Sequence, residues 1–217
     1  MSAPFPAVSI AEAHAILTAP GQRFELDEAV IRGVPTRVWK HAPATLRDVF
    51  LGTAVYAGRT CFVHEDERVD YGAFARAARR LASRLATAGL MKGERVALIA
   101  RNLPEWPVAM FGAILCGAIV TPVNAWGTGP ELLHAVKQSG ASVLIIDDER
   151  LARLAPLLGE APALRAIHAV RTAASTLAAL PLPASLRVGH LEDLIGPPAA
   201  WAASSGCSSS CQAITGT

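Results

Sequence analysis

The sequence predicts an α/β fold built on a mainly parallel sheet, and three observations carry that prediction. Four short apolar runs, Val96 to Ala100, Ala118 to Val123, Ser142 to Ile146 and Leu164 to Val170, alternate with segments of helical periodicity. Strands separated by helices of about 10–15 residues form βαβ units, and runs that stay apolar throughout mark strands buried on both faces. The intervening segments open on helix start signals: Asn102 before Pro104, Thr128 or Gly129 before Pro130 and Glu131, and Asp147 or Asp148. Finally, 52% of the 217 residues are hydrophobic, enough to bury a substantial core.

Upstream of these units the pattern is mixed. Ser9 is placed to cap a short helix through Leu17, with Glu12 three residues on. Arg23 to Trp39 reads as extended segments around the turn Arg32-Gly33-Val34-Pro35, and Thr45 caps a helix from Leu46 to Val55. Thr60 to Val63 and Arg68 to Tyr71 flank a polar turn and predict a hairpin. An amphipathic helix follows: Phe74, Ala77, Ala78, Leu81, Leu85 and Ala88 share one face, Arg76, Arg79, Arg80 and Arg84 the other, and Gly89 ends it. The arginine stripe reads as a solvated face, with acidic lipid or nucleic acid as the alternative.

Downstream of Val170 the periodicity weakens. Ser185 to Val188 predicts an edge strand and Leu191 to Ile195 a short helix. From Gly196 the composition turns to Pro-Pro, alanines and a Ser/Cys run, which predicts a disordered or out-of-frame tail. The expected organisation is an N-terminal extension over 1–58, an α/β subdomain over 59–196, and the tail over 197–217.

Charge and composition exclude several classes. A net charge of +2 argues against a grip on nucleic acid. Met1 to Ala19 has neither a basic start nor a long apolar stretch, so it is no secretory signal. The uncharged run from Trp106 to Thr128 is broken by Gly117, Pro122 and Asn124; a helix followed by a buried strand explains it better than a membrane span. Cys61 and Cys116 stand in apolar runs as small hydrophobes, and Cys207 with Cys211 lacks the ligands that would complete a metal site, so no metal is expected. This cysteine usage predicts a reducing, cytoplasmic location.

Two stretches carry a family resemblance. One runs from Val69-Asp70-Tyr71 through Gly89 to Lys92-Gly93-Glu94-Arg95-Val96-Ala97. The other runs from Arg101-Asn102-Leu103-Pro104-Glu105-Trp106 through Gly112 to Ala118 and on to Thr121-Pro122-Val123-Asn124-Ala125-Trp126. Their order and spacing resemble the N-terminal part of the adenylate-forming superfamily, the AMP-forming acyl-CoA synthetases. Val38-Trp39-Lys40-His41-Ala42-Pro43 and Thr45-Leu46-Arg47 resemble the lead-in of fatty-acyl-CoA ligases in particular. The resemblance implies an acid–thiol ligase that joins a fatty acid to CoA through an acyl-adenylate, using ATP and Mg²⁺ and releasing AMP and pyrophosphate.

The same resemblance implies a Ser/Thr/Gly-rich phosphate loop ending in lysine, a ribose-binding aspartate and a catalytic lysine. Lysine occurs here only at positions 40, 92 and 137, and none follows a Ser/Thr/Gly-rich stretch. Residues 1–217 are therefore expected to be a truncated or frame-shifted fragment, inactive alone, that binds none of ATP, Mg²⁺ or CoA well. No catalytic, cofactor-binding or metal residue is assigned. Asn124 and Trp126, just past the carboxyl end of a strand, are the candidates for lining a substrate channel, against the plainer reading of a polar turn with an aromatic lid. Asn102 and Trp106 read as helix cap and packing anchor. An alternative to the broken enzyme is a non-catalytic interaction module that pairs with a separately encoded remainder. Either way, uncovered apolar surface is expected to drive self-association.

Overall fold

The computed structural model describes residues 8–201. The chain divides into two compact units, Met1–Val49 and Phe50–Thr217.

In the first unit, helix α1 (Ile10–Thr18) is capped by Ser9, whose hydroxyl accepts from the Glu12 N–H at 3.2 Å. Strands β1 (Leu26–Ile31) and β2 (Val34–Trp39) form an antiparallel hairpin with Ile31 opposite Val34. The two-residue turn places Arg32 and Gly33 at φ 51° and 83°, the double left-handed conformation that matches strand twist. Thr45 and Asp48 cap helix α2 (Leu46–Gly52) reciprocally. The helix expected to reach Val55 tightens after Gly52 into a 3₁₀ turn, Thr53–Tyr56.

The second unit opens with the hairpin β3 (Thr60–His64) and β4 (Glu67–Asp70), then α3 (Tyr71–Thr87), whose cap is Asp70. The βαβ series follows: β5 (Arg95–Ile99), α4 (Glu105–Leu115), β6 (Ile119–Pro122), α5 (Gly129–Ser139), β7 (Val143–Asp147), α6 (Asp148–Leu154) and β8 (Ala166–Val170). The weakly patterned stretch after Val170 holds α7 (Ala174–Ala179), then β9 (Arg187–His190), α8 (Leu191–Ile195) and α9 (Pro198–Trp201). All five central strands are parallel, in the order β6-β5-β7-β8-β9.

Alternate residues of each strand serve opposite faces. Val96, Leu98, Val143 and Ile145 pack against α3, α4 and α8; Ala97, Ile99, Leu144 and Ile146 pack against α5 and α6. This is why the strands read as unbroken apolar runs. Helices α3 and α4 approach closely at Gly112, where an added Cβ would stand 2.9 Å from the Leu81 Cβ. The apolar run from Trp106 to Thr128 is divided between α4 and β6 by Gly117 at φ 83°. Among the described residues no helix is long and apolar enough to cross a membrane.

One expectation needs correction. Asn102 does not cap α4: the boundary falls on Pro104, already helical at φ −56° and ψ −27°, with no side-chain cap bond. Phe50, in α2, is buried, stacked on Phe111 and edge-on to Phe74. Trp201, the last described residue, is 3% exposed and its Nε1 donates to the Gly196 carbonyl at 2.7 Å. The Ser/Cys run with Cys207 and Cys211 lies outside the described residues.

The arginine stripe of α3 also has work inside the fold. Arg76 donates to the Trp201 carbonyl at 2.8 Å and Arg80 to the Ile195 carbonyl at 3.3 Å, so both satisfy C-terminal helix carbonyls.

Candidate functional site

The chain leaves β5 toward β6 and returns to β7 on the other side of β5. Connections therefore diverge between β5 and β7, opening a crevice outside their carboxyl ends, which is where open parallel sheets bind ligands. The segments that meet there are the loop 100–104 after β5, residues 123–128 after β6, and the start of α6 after β7.

Asp147, the last residue of β7, ties two of them together. Its Oδ1 accepts from the Arg150 N–H at 3.2 Å, capping α6, and its Oδ2 accepts from the Arg101 N–H at 2.9 Å. Arg150 ties in the third. It is 2% exposed, and its Nε donates to the Ala125 carbonyl at 2.8 Å. Its Nη1 meets Asp147 at 3.3 Å and Glu149 at 2.9 Å, while Nη2 is buried without a hydrogen-bond partner among the described residues. Breaking one side of such a buried pair costs about 3–5 kcal/mol, because the other charge stays uncompensated.

Over this frame stands Trp126, 69% exposed. The guanidinium of Arg101 lies 4.3 Å from the indole centroid and that of Arg150 5.9 Å away. Asn124 is exposed and its Oδ1 accepts from the Trp126 N–H at 3.1 Å, fixing the turn that presents the ring. The structure thus brings Asn124 and Trp126 together at the crevice, Asn124 as turn-maker and Trp126 as surface. The Arg101 guanidinium stacks on the ring and makes no hydrogen bond to the described residues. A flat aromatic face beside a guanidinium suits a ligand that is planar and anionic.

Arg150 escaped the sequence reading, although its position carries a signal. It sits in the first turn of α6, where the helix dipole disfavours a cation, so only a local carboxylate partner explains it there.

A second polar node stands at the carboxyl end of β8. Arg171, at φ 47°, donates from Nε to Glu105 at 2.8 Å, from Nη2 to Glu67 at 2.6 Å, and from its backbone N–H to Glu192 at 2.7 Å. Burial pulls its pKa down, but its hydrogen bonds to Glu105 and Glu67 outweigh that and hold it above the ordinary arginine value. Glu105 opens α4, is 1% exposed, and leaves Oε2 without a partner among the described residues. Burial pushes the thiols of Cys61 and Cys116 upward, which suits their reading as small hydrophobes.

Grooves elsewhere are apolar. One, lined by Val136, Ala141, Ala161 and Leu164, sits at the amino ends of β7 and β8; another, lined by Leu177, Leu180, Leu182 and Val188, flanks β9. Neither is lined by the convergent polar groups that orient a ligand.

With this geometry in hand, comparisons with known proteins are informative. A family model described as AMP-binding enzyme matches residues 52–193. The long-chain-fatty-acid–CoA ligase of Escherichia coli O6:H1 is 38% identical over 115 residues, 52% of this chain and 20% of that protein. The chain thus spans about one fifth of the length of the curated relatives it matches. The coronafacic acid ligase of Pectobacterium brasiliense superposes with a TM-score of 0.61 at 16% identity, over 73% of this chain and 30% of the other, which shows the fold alone. A benzoate CoA ligase from Burkholderia xenovorans LB400 superposes with a TM-score of 0.55 at 25% identity, over 74% and 30%.

Proposed function

Because the chain belongs to the AMP-binding enzyme family, we propose that it forms the N-terminal α/β part of an AMP-forming acyl-CoA ligase acting on fatty acids. Residues 50–201 would supply a wall of the substrate site, and the Arg101–Trp126 surface would hold a phosphate-bearing substrate, ATP or CoA. One observation carries this reading of the site. At the switch point of the sheet a guanidinium without a hydrogen-bond partner among the described residues lies on an exposed indole, backed by a second, buried guanidinium.

The crevice binds but does not catalyse in this reading. Charge-assisted hydrogen bonds from Arg101 would fix an anion, and the Trp126 face would take a planar group beside it. A resident Mg²⁺ does not fit these residues: both Asp147 oxygens and Glu149 are taken by Arg101, Arg150 and Arg153. Residues 1–217 also hold no Ser/Thr/Gly-rich stretch followed by lysine. By themselves they are therefore expected to give no fatty-acid-dependent ATP–pyrophosphate exchange, since electrostatic stabilisation of the transferring group is usually the largest catalytic contribution.

The test uses the native protein isolated from the cells that make it. Formation of AMP, pyrophosphate and acyl-CoA from a fatty acid, ATP and CoA supports the ligase reading; its failure with a range of carboxylic acids counts against it. Co-purification of a 217-residue product with a separately encoded AMP-binding remainder would turn the reading to a two-chain assembly.

A further inference from the structure

We propose that Arg171 is a positioning residue for the crevice: through Glu105 it fixes the loop 100–104 and so holds Arg101 against Trp126. Arg101 has two restraints of its own besides the indole, the Asp147 carboxylate on its N–H and the Leu103 N–H on its carbonyl at 2.8 Å. The loop then turns directly into α4, with the Trp106 N–H donating to the Leu103 carbonyl at 3.0 Å. Between those turns stands Glu105, the one acidic side chain in the first turn of α4 and nearly fully buried. Among the described residues its single hydrogen-bond partner is Arg171, which follows β8 and reaches it across the carboxyl end of the sheet. The loop that carries Arg101 is thus held from β7 at one end by Asp147 and from β8 at the other by Arg171.

The rest of the Arg171 environment fits a clamp. An arginine at φ 47° is in the left-handed region that non-glycine residues seldom adopt, and such strain persists where surrounding contacts over-determine it. Three glutamates supply those contacts: Glu192 takes the backbone N–H, Glu67 and Glu105 take the guanidinium. A side chain needed only to neutralise Glu105 would not require the other two. Among the described residues Oε2 of Glu105 has no partner, so the carboxylate's positional restraint falls on its one bond to Arg171. Loss of that bond leaves a buried carboxylate unpaired and free to draw the first turn of α4, and with it residues 100–104, toward water.

The inference gains its functional meaning from the reading of the Arg101–Trp126 surface as a ligand wall, but its test needs no ligand, so the two can fail separately. The 217-residue chain is labelled with 5-fluorotryptophan and its ¹⁹F spectrum recorded, the Trp126 line being assigned by its loss in Trp126→Phe. Arg101→Ala gives the position of that line without the stacked guanidinium. Arg171→Met, which keeps the aliphatic stem, is expected to move the Trp126 line most of the way to the Arg101→Ala position while the Trp39 line stays in place. Arg171→Lys, able to satisfy one carboxylate at a time, is expected to give a partial shift. A lowered Tm in Arg171→Met with the Trp126 line unmoved would show a purely structural role and overturn the proposal. Should Arg171→Met fail to fold, Glu105→Gln weakens the same bond at constant size and is read in the same way.

Discussion

In residues 50–201 strands β5, β7 and β8 are buried on both faces, with Leu98, Leu144, Ile145 and Ile146 each at most 1% exposed. In residues 8–49 no described side chain is buried: α1 has none, and Val30, Val34 and Trp39 are at least half exposed. The first region is held by apolar burial and the second by its hairpin ladder, its caps and one ion-pair cluster. That cluster centres on Glu25, which accepts from Lys40 at 2.6 Å, from the Gly21 N–H at 3.0 Å, and faces His41 at 3.3 Å. The difference teaches where cooperative stability resides. Hydrogen exchange should be slow through β5 and β7 and fast through β1 and β2.

The contrast is sharpened most by a core truncation. Leu98→Ala removes a side chain packed between the sheet and α3 and α4, and should cost about 2–5 kcal/mol by denaturant unfolding. An effect under about 1 kcal/mol would mean the sheet is not the organising core. Gly112→Ala should cost about 1–3 kcal/mol, because the new methyl meets Leu81. Helix propensity alone would stabilise by about 1 kcal/mol, so the sign of the change separates the two effects.

A pH titration reaches the core in another way. His168 lies on β8 opposite Ile145, and burial, then the nearby Arg187, hold its pKa below the ordinary 6.5. The unfolded chain therefore takes up this proton first. Stability should be full above pH 6.5 and fall as pH drops from there toward the folded value, with His168→Gln flattening that decline. In the first unit, the Lys40 hydrogen bond leads the causes that lower Glu25 to about 2, with the Gly21 N–H next. Its contribution is present above pH 4.5 and is lost as pH falls toward 2. Glu25→Gln should barely change global unfolding while raising exchange in β1 and β2, since an exposed pair is worth little.

Much of this was legible because the signals are local. The period of the apolar runs, the caps at Ser9 and Thr128, and the turn at Arg32-Gly33 lie within a few residues of what they control. Asn102 misled because a proline two residues on can itself begin the helix. The Asn124–Trp126 turn was visible, being the continuation of a strand's carboxyl end. Its partners were not, for they depend on chain reversal. Arg150 meets Ala125 25 residues away, Arg171 meets Glu105 at 66, and Arg76 meets Trp201 at 125. No periodicity encodes such pairings; they follow only once strand order brings β5, β6, β7 and β8 to a common edge.

The central claim is that this edge holds a phosphate-bearing substrate, and the most direct measurement is the affinity of the native protein for ATP and for CoA, compared with its Arg101→Ala variant. Losing a charge-assisted hydrogen bond of about 1.5–3 kcal/mol should weaken one of the two by roughly tenfold or more, at unchanged Tm. Equal affinity for both ligands in the two proteins would contradict the account.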